Sequence, residues 1–252
     1  MKQLFLILSM VCFTTLAQAS CPAIDAVGEP VGPTGQGYFQ VCHTMYSSLV
    51  SSDTKNPVWD AGVVTADSAN GKSKRGPFFK YDPQLPVGFG STDQDYQGAK
   101  DKNGNMIARG HNYDANDSKL NDKVMHESFY FTNMFPQLQE NNAGVWKSME
   151  TIVHNLAIQY GTVYVVNGPI YASDQGIIGN NVKIPSHLYK VIYIPQLNKT
   201  LGYIIPNTLL PNTKPKQFTV SQDYVEQITG LKFFPKINGY IKVSTLQEIG
   251  VN

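Results

Sequence analysis

The apolar residues Val145, Trp146, Met149, Ile152, Val153, Leu156, Ala157 and Tyr160 recur at helical spacing. Residues 141–160 therefore read as one amphipathic helix with Asn141 or Asn142 as its cap. Gly161 stops it. The β-branched run at 162–166 reads as a buried central strand, with Asn167-Gly168-Pro169 as its turn. A one-sided helix running directly into a buried strand points to a sheet with helices packed on it. Further strands are predicted over residues 58–65, 129–134 (ended by Pro136), 190–194 and 200–205. A short helix over 221–229 has Ser221 as cap and Gly230 as stop. Residues 67–76 read as an exposed loop, and 77–98, rich in Pro, Gly and Asp, as irregular surface chain. The fold class is α+β, a central antiparallel or mixed β-sheet flanked by helices.

Lys2, the apolar blocks at 4–8 and 11–16, and Ala17-Gln18-Ala19 have the make-up of a signal peptide over residues 1–19. Cleavage near Ala19 predicts a secreted or periplasmic protein and leaves residues 20–252 as a single domain. The apolar block is too short to span a bilayer, so no membrane association is expected. Removing Lys2 leaves 19 basic and 19 acidic residues. With no net charge, contact with a polyanion must come from a local patch, and Lys72, Lys74, Arg75 and Lys80 form the densest one. Cys21 and Cys42 remain once Cys12 is removed, and a disulfide between them would stabilise the domain by about 3 kcal/mol.

Four side chains carry the chemistry. His111 follows Arg109 by two positions, which in an extended segment turns both toward one face. An imidazole with an ordinary pKa near ~6.5 can take a proton from water, and a guanidinium binds phosphate as a fork that lysine cannot copy. On the helix, Asn142 and Glu150 lie about 80° apart in azimuth and about 12 Å apart along the axis. Asn142 is therefore the direct ligand for a hard cation, with Glu150 acting through water. Mg²⁺ tolerates so sparse a set because it keeps several waters of its own. Trp146 reads as core, and His43, His126, His154 and His187 as packed or solvated side chains.

The ordered set Ala108-Arg109-Gly110-His111, Thr132-Asn133-Met134-Phe135-Pro136-Gln137 and Asn142-Ala143-Gly144-Val145-Trp146-Lys147-Ser148-Met149-Glu150 resembles the DNA/RNA non-specific endonuclease family of ββα-metal, or His-Me finger, nucleases. Asn167-Gly168-Pro169-Ile170-Tyr171, Ile184-Pro185-Ser186 and Ile228-Thr229-Gly230-Leu231 extend the likeness to roughly residues 58–235. The resemblance implies a ββα-metal active-site motif and an endonuclease that hydrolyses DNA and RNA through the phosphate backbone without sequence specificity, leaving 5′-phosphate ends. It implies His111 as general base, Asn142 as Mg²⁺ ligand, with Mn²⁺ as the alternative ion, and Glu150 as the holder of a metal-bound water. Arg109 would bind phosphate, Arg75 would stabilise the transition state, and Lys72, Lys74 and Asn133 would assist in substrate binding. One departure stands out. The family signature begins with Asp where this chain has Ala108, so either Asp114 or another carboxylate compensates, or metal affinity falls and the preferred ion changes. The alternative reading is a catalytically impaired nucleic-acid-binding or effector protein on the same fold.

Overall fold

The β-branched run after Gly161 lies in the middle of a sheet. The computed structural model describes residues 21–251, and the signal peptide expected over 1–19 lies outside the described residues. The strands are β1 (Tyr38–Cys42), β2 (Tyr46–Ser51), β3 (Pro57–Thr65), β4 (Ile107–His111), β5 (Met134–Leu138), β6 (Thr162–Ile170), β7 (Ile177–Ile178), β8 (Val182–Lys183), β9 (His187–Ile194), β10 (Lys199–Pro206), β11 (Thr219–Val220) and β12 (Ile241–Lys242). The α-helices are α1 (Ala66–Asn70), α2 (Asp93–Tyr96), α3 (Asp122–Glu127), α4 (Gln139–Asn141), α5 (Lys147–Tyr160) and α6 (Gln222–Thr229).

Among the described residues the main sheet runs β1-β2-β3-β6-β9-β10-β11, with β12 also on β10. Every pairing is antiparallel except β10 with β12, so the sheet is mixed. Along β9 the side chains alternate between two cores. Leu188, Ile192 and Ile194 pack with Val145, Trp146, Met149, Val153 and Leu156 from the helical side. Tyr189, Val191 and Tyr193 pack with Ile24, Trp59, Val225 and Phe234 on the opposite face. Burial on both faces explains why β6 and β9 read as nearly continuous apolar runs instead of alternating ones.

Several boundaries differ from the sequence reading. Asn167, Gly168 and Pro169 do not turn: they continue β6 opposite Lys190, Tyr189 and Leu188. Pro136 does not end a strand at 129–134 but sits inside β5, opposite Arg109. It is tolerated because β5 pairs on one side only, and its carbonyl accepts from Asn207 Nδ2 at 3.1 Å. Residues 66–70 form α1 instead of loop, started by a capping box between Thr65 and Ser68. β1 and β2 arise where no strand was expected, and the Cys21–Cys42 disulfide ties β1 to the amino-terminal turn with a Cα–Cα distance of 5.4 Å. The α6 reading holds, with Ser221 accepting from Tyr224 N and Gly230 left-handed.

The helix expected as one piece over 141–160 is broken. α4 leads into a π-helical turn at Asn142–Trp146, kinked at Gly144, before α5 begins. Neither asparagine caps it. Asn141 is buried, accepting from Gln137 Nε2 at 2.8 Å and donating to Pro206 O, while Asn142 is left facing a cavity. A π-turn inserts a residue into the helical ladder and turns the side chains after it relative to those before it.

Candidate active site

β4, β5 and the interrupted helix α4–α5 form a strand-strand-helix unit whose strands are in register from Ile107 opposite Leu138 to His111 opposite Met134. A separate apolar cluster of Ile107, Met134, Leu138, Tyr96, Phe131 and Ile184 fixes this ribbon. A β-carbon at Gly110 would lie 2.4 Å from Gln137 Oε1 and 2.9 Å from the Phe135 ring, so only glycine fits between Arg109 and His111. The indole N–H of Trp146 donates to His111 O at 3.1 Å. Trp146 is core, as expected, yet it also pins the backbone of the histidine.

The His111 side chain is 5% exposed and packs edge-on against Phe129 at 4.9 Å, with Phe79 at 5.9 Å. Its Nε2 has no hydrogen-bond partner. Burial, reinforced by the nearby Arg75 charge, pushes the imidazole down to about 3, so it is neutral at physiological pH. It lines a cavity of ≈ 180 Å³ together with Arg75, Asp114, Asn116, Asn142, Lys147 and Glu150. His111, Asn142, Glu150 and Arg75 thus meet at one small pocket.

Arg109 opens onto a second cavity of ≈ 520 Å³, which Arg75 and Asn142 also border. Its guanidinium is held by Asp93 at 2.7 Å and lies 5.1 Å from the Phe79 ring and 5.6 Å from Tyr96. Arg75 is exposed, with its guanidinium carbon 5.5 Å over Phe129. Lys72 and Lys74 are exposed on the loop after α1 and line neither cavity. That loop is tied down: a β-carbon at Gly71 would meet Lys119 O at 1.9 Å, and Ser73 N donates to the same carbonyl.

Asn133 corrects the reading that gave it a substrate contact. It is fully buried, its Oδ1 accepts from Tyr113 N at 2.7 Å, and its Nδ2 donates to Tyr113 O and Ser128 O. With its amide already committed, it positions the segment after His111 instead of touching ligand. His43 and His154 are hydrogen-bonded to carboxylates, not merely packed: Nε2 of His43 lies 2.8 Å from Asp82, and Nδ1 of His154 lies 2.8 Å from Asp117. His154 is raised by its bond to Asp117, and Asp117, raised chiefly by burial, reaches about 6.

One site residue was passed over in the sequence and another was named only as a stand-in. Asp114, a candidate to compensate for Ala108, lines the His111 pocket while its Oδ1 caps the following turn by accepting from Asn116 N at 3.0 Å. Lys190 is a buried cation on the helical face of β9; Nζ donates to Asn167 Oδ1 at 2.5 Å and lies 4.8 Å from the Trp146 ring. Its burial pushes the ammonium down, while the charges of Glu150, Asp114 and Asp117 oppose that shift. A lone Lys inside the apolar run of β9 was the available signal.

The pocket's donors are all oxygen on the acidic side: the Asn142 carboxamide and the Asp114 and Glu150 carboxylates. Burial, together with the Asp114 and Asp117 charges, raises the Glu150 carboxyl well above the ordinary range, a cost that a cation would relieve. Such a set fits a hard, partly hydrated ion. Among the described residues no group of three or more His, Cys, Asp or Glu side chains is placed to hold a metal ion.

A sequence model of the DNA/RNA non-specific endonuclease family matches residues 28–239. The chain is 31% identical over 235 residues to the mitochondrial nuclease EXOG of Mus musculus, covering 86% of this chain and 62% of that protein. It is 32% identical over 223 residues to nuclease C1 of Cunninghamella echinulata var. echinulata, covering 81% and 84%. Its structure resembles the endonuclease of an EndoG/EndoGI complex with a TM-score of 0.70 at 29% identity, covering 79% of this chain and 86% of that one. The chain spans 48% to 62% of the length of the EXOG nucleases of Xenopus laevis, Mus musculus and Homo sapiens. Relatives named as mitochondrial nucleases overturn the secreted or periplasmic location expected from the amino-terminal residues. No described helix is long and apolar enough to cross a membrane. On the family match and these relatives, the chain belongs to the DNA/RNA non-specific endonuclease family.

Proposed function

We propose that the protein is an endonuclease hydrolysing the phosphodiester bonds of DNA and RNA at the His111 pocket, leaving 5′-phosphate ends. The observation that carries this reading is the buried, unpartnered Nε2 of a neutral His111 beside Arg75, Asn142, Asp114 and Glu150. A buried nitrogen without a partner is costly in an inert core and useful in a base awaiting a ligand.

His111 Nε2 takes the proton of the attacking water. A phosphate seated against Arg75 adds negative charge beside the imidazole, which raises its basicity above that of the free enzyme and brings it nearer the operating pH. Arg75 and Arg109 hold phosphate oxygens, and Lys72 and Lys74 draw in the backbone from the exposed loop. Asn133 fixes the backbone after His111. Asn142 would hold Mg²⁺ or Mn²⁺, with Glu150 and Asp114 behind it. When bound, that ion supplies positive charge at the phosphate and at the departing 3′ oxygen. Contacts to phosphate carry no sequence information, which accounts for action on DNA and RNA alike.

The test is cleavage of plasmid DNA and of RNA in Mg²⁺, Mn²⁺ and chelator. Cleavage that chelator abolishes and that His111→Gln removes supports the reading; equal cutting by wild type, variant and chelated protein refutes it.

A further inference from the structure

The second cavity is larger than phosphate contact requires, and the hydrolytic reading uses only Arg75, Arg109 and Asn142 of its lining. We propose that it is a nucleotide subsite, which receives the base and sugar next to the scissile phosphate from single-stranded DNA or RNA, with the base turned out of any stack. This rests on the reading of the His111 pocket as the place of hydrolysis.

Position comes first. Arg75 and Asn142 border both cavities, so a strand whose phosphate lies at His111 carries a neighbouring nucleotide past them into the second. Size agrees. The His111 pocket, at ≈ 180 Å³, has room for a phosphate and waters, whereas ≈ 520 Å³ lies in the range of roughly 300–1,000 Å³ that holds small organic ligands.

The lining suits a base of any identity. Met106, 48% exposed, offers a polarizable thioether to a base face. Gln97 and Gln139 are exposed at the rim, and each carboxamide carries both donor and acceptor, so all four base edges find a partner without being told apart. Ala108 leaves its wall short and uncharged. Arg109 is oriented in advance by Asp93, and its buried Nε has no partner, leaving a donor for a phosphate oxygen. A paired base enters such a cavity only after unpairing, at a cost of a few kcal/mol, so the subsite favours single strands.

The test uses the full chain and a labelled single-stranded oligonucleotide, intact or with one central abasic residue, measured by anisotropy in the His111→Gln variant and by cleavage in the wild type. Loss of the base is expected to weaken binding about tenfold and to spare the bond beside it from cutting, with distant bonds unaffected. Ala108→Phe, which fills the cavity, is expected to bind the intact strand as weakly as the abasic one. Met106→Ala, at an exposed position that leaves the fold alone, is expected to shrink the difference between the two strands. Equal binding of intact and abasic strands by His111→Gln, or of duplex and single strand, overturns the subsite. Wild-type protein that binds with the expected preference yet cuts nothing sinks the hydrolytic reading and leaves the subsite standing.

Discussion

Replacing His111 by glutamine tests the neutral buried base through stability as well as activity. The folded protein holds this imidazole at about 3, against an ordinary 6.5. Between those values the unfolded chain binds a proton that the folded chain refuses, so the native state is fully favoured above pH 6.5 and loses stability as pH falls toward 3. The linkage relation puts the loss at about 2 kcal/mol between pH 7 and pH 5, with a limiting slope of about 1.4 kcal/mol per pH unit. Glutamine does not titrate. Urea unfolding in chelator at several pH values is therefore expected to show the variant gaining on wild type by about 2 kcal/mol on going from pH 7 to pH 5. Turnover at pH 7 is expected to fall by a factor of about 10² to 10⁴. The Trp146 bond to residue 111 runs to the backbone carbonyl and survives the change, which keeps the comparison clean. Parallel stability profiles for the two proteins would refute a depressed, buried imidazole, whatever the activity showed.

Asp114→Asn removes a carboxylate from the pocket and is expected to raise the half-saturating Mg²⁺ concentration about tenfold, read from metal titrations of activity and of heat. Lys190→Met leaves the Glu150, Asp114 and Asp117 charges without their buried counter-charge and is expected to cost about 3–5 kcal/mol in urea unfolding; a loss below about 1 kcal/mol would show the cation is dispensable. Cys42→Ser opens a loop of sequence separation 21 and is expected to cost about 3 kcal/mol relative to the oxidised wild type. Asp93→Asn removes the anion on Arg109 and is expected to steepen the salt dependence of oligonucleotide binding by up to one counterion, measured as the slope of log Kd against log salt.

The parts of the fold that were legible are those whose patterns are local. The stripe from Val145 to Tyr160, the run after Gly161 and the Ser221 cap each state their own structure. What misled was residue type read without partners. Asn167-Gly168-Pro169 has turn composition, yet β9 pairs with all three and β3 with Asn167, which keeps β6 extended and leaves the turn chemistry unused. β1 and β2 were missed because burial along β2 is continuous through Ser47, Ser48 and Ser51, so no polar-apolar alternation announces it. The hydrogen bond from Ser48 to Asp60 shows where such polarity goes: into pairing across strands that a single sequence does not reveal.

The site shows the same division, with one instructive twist. An ideal helix puts Asn142 and Glu150 about 12 Å apart along its axis, and on that geometry they could not meet at one ion. The protein does not use an ideal helix. The π-turn at Asn142–Trp146 re-aims Asn142 relative to Glu150, and both border the pocket that His111 enters from the strand ribbon. Trp146 closes that turn, and its two faces of contact explain why it sits there: its N–H fixes His111 O and its ring lies over the Lys190 ammonium. Lys190 in turn is held by Asn167, its register partner on β6. His111, the turn that carries Asn142 and the central strands are thus linked through a single indole. Trp146→Phe, which keeps an aromatic ring in the core but removes the N–H, should therefore lower turnover beyond what its small cavity costs in stability, because the backbone of His111 loses its anchor.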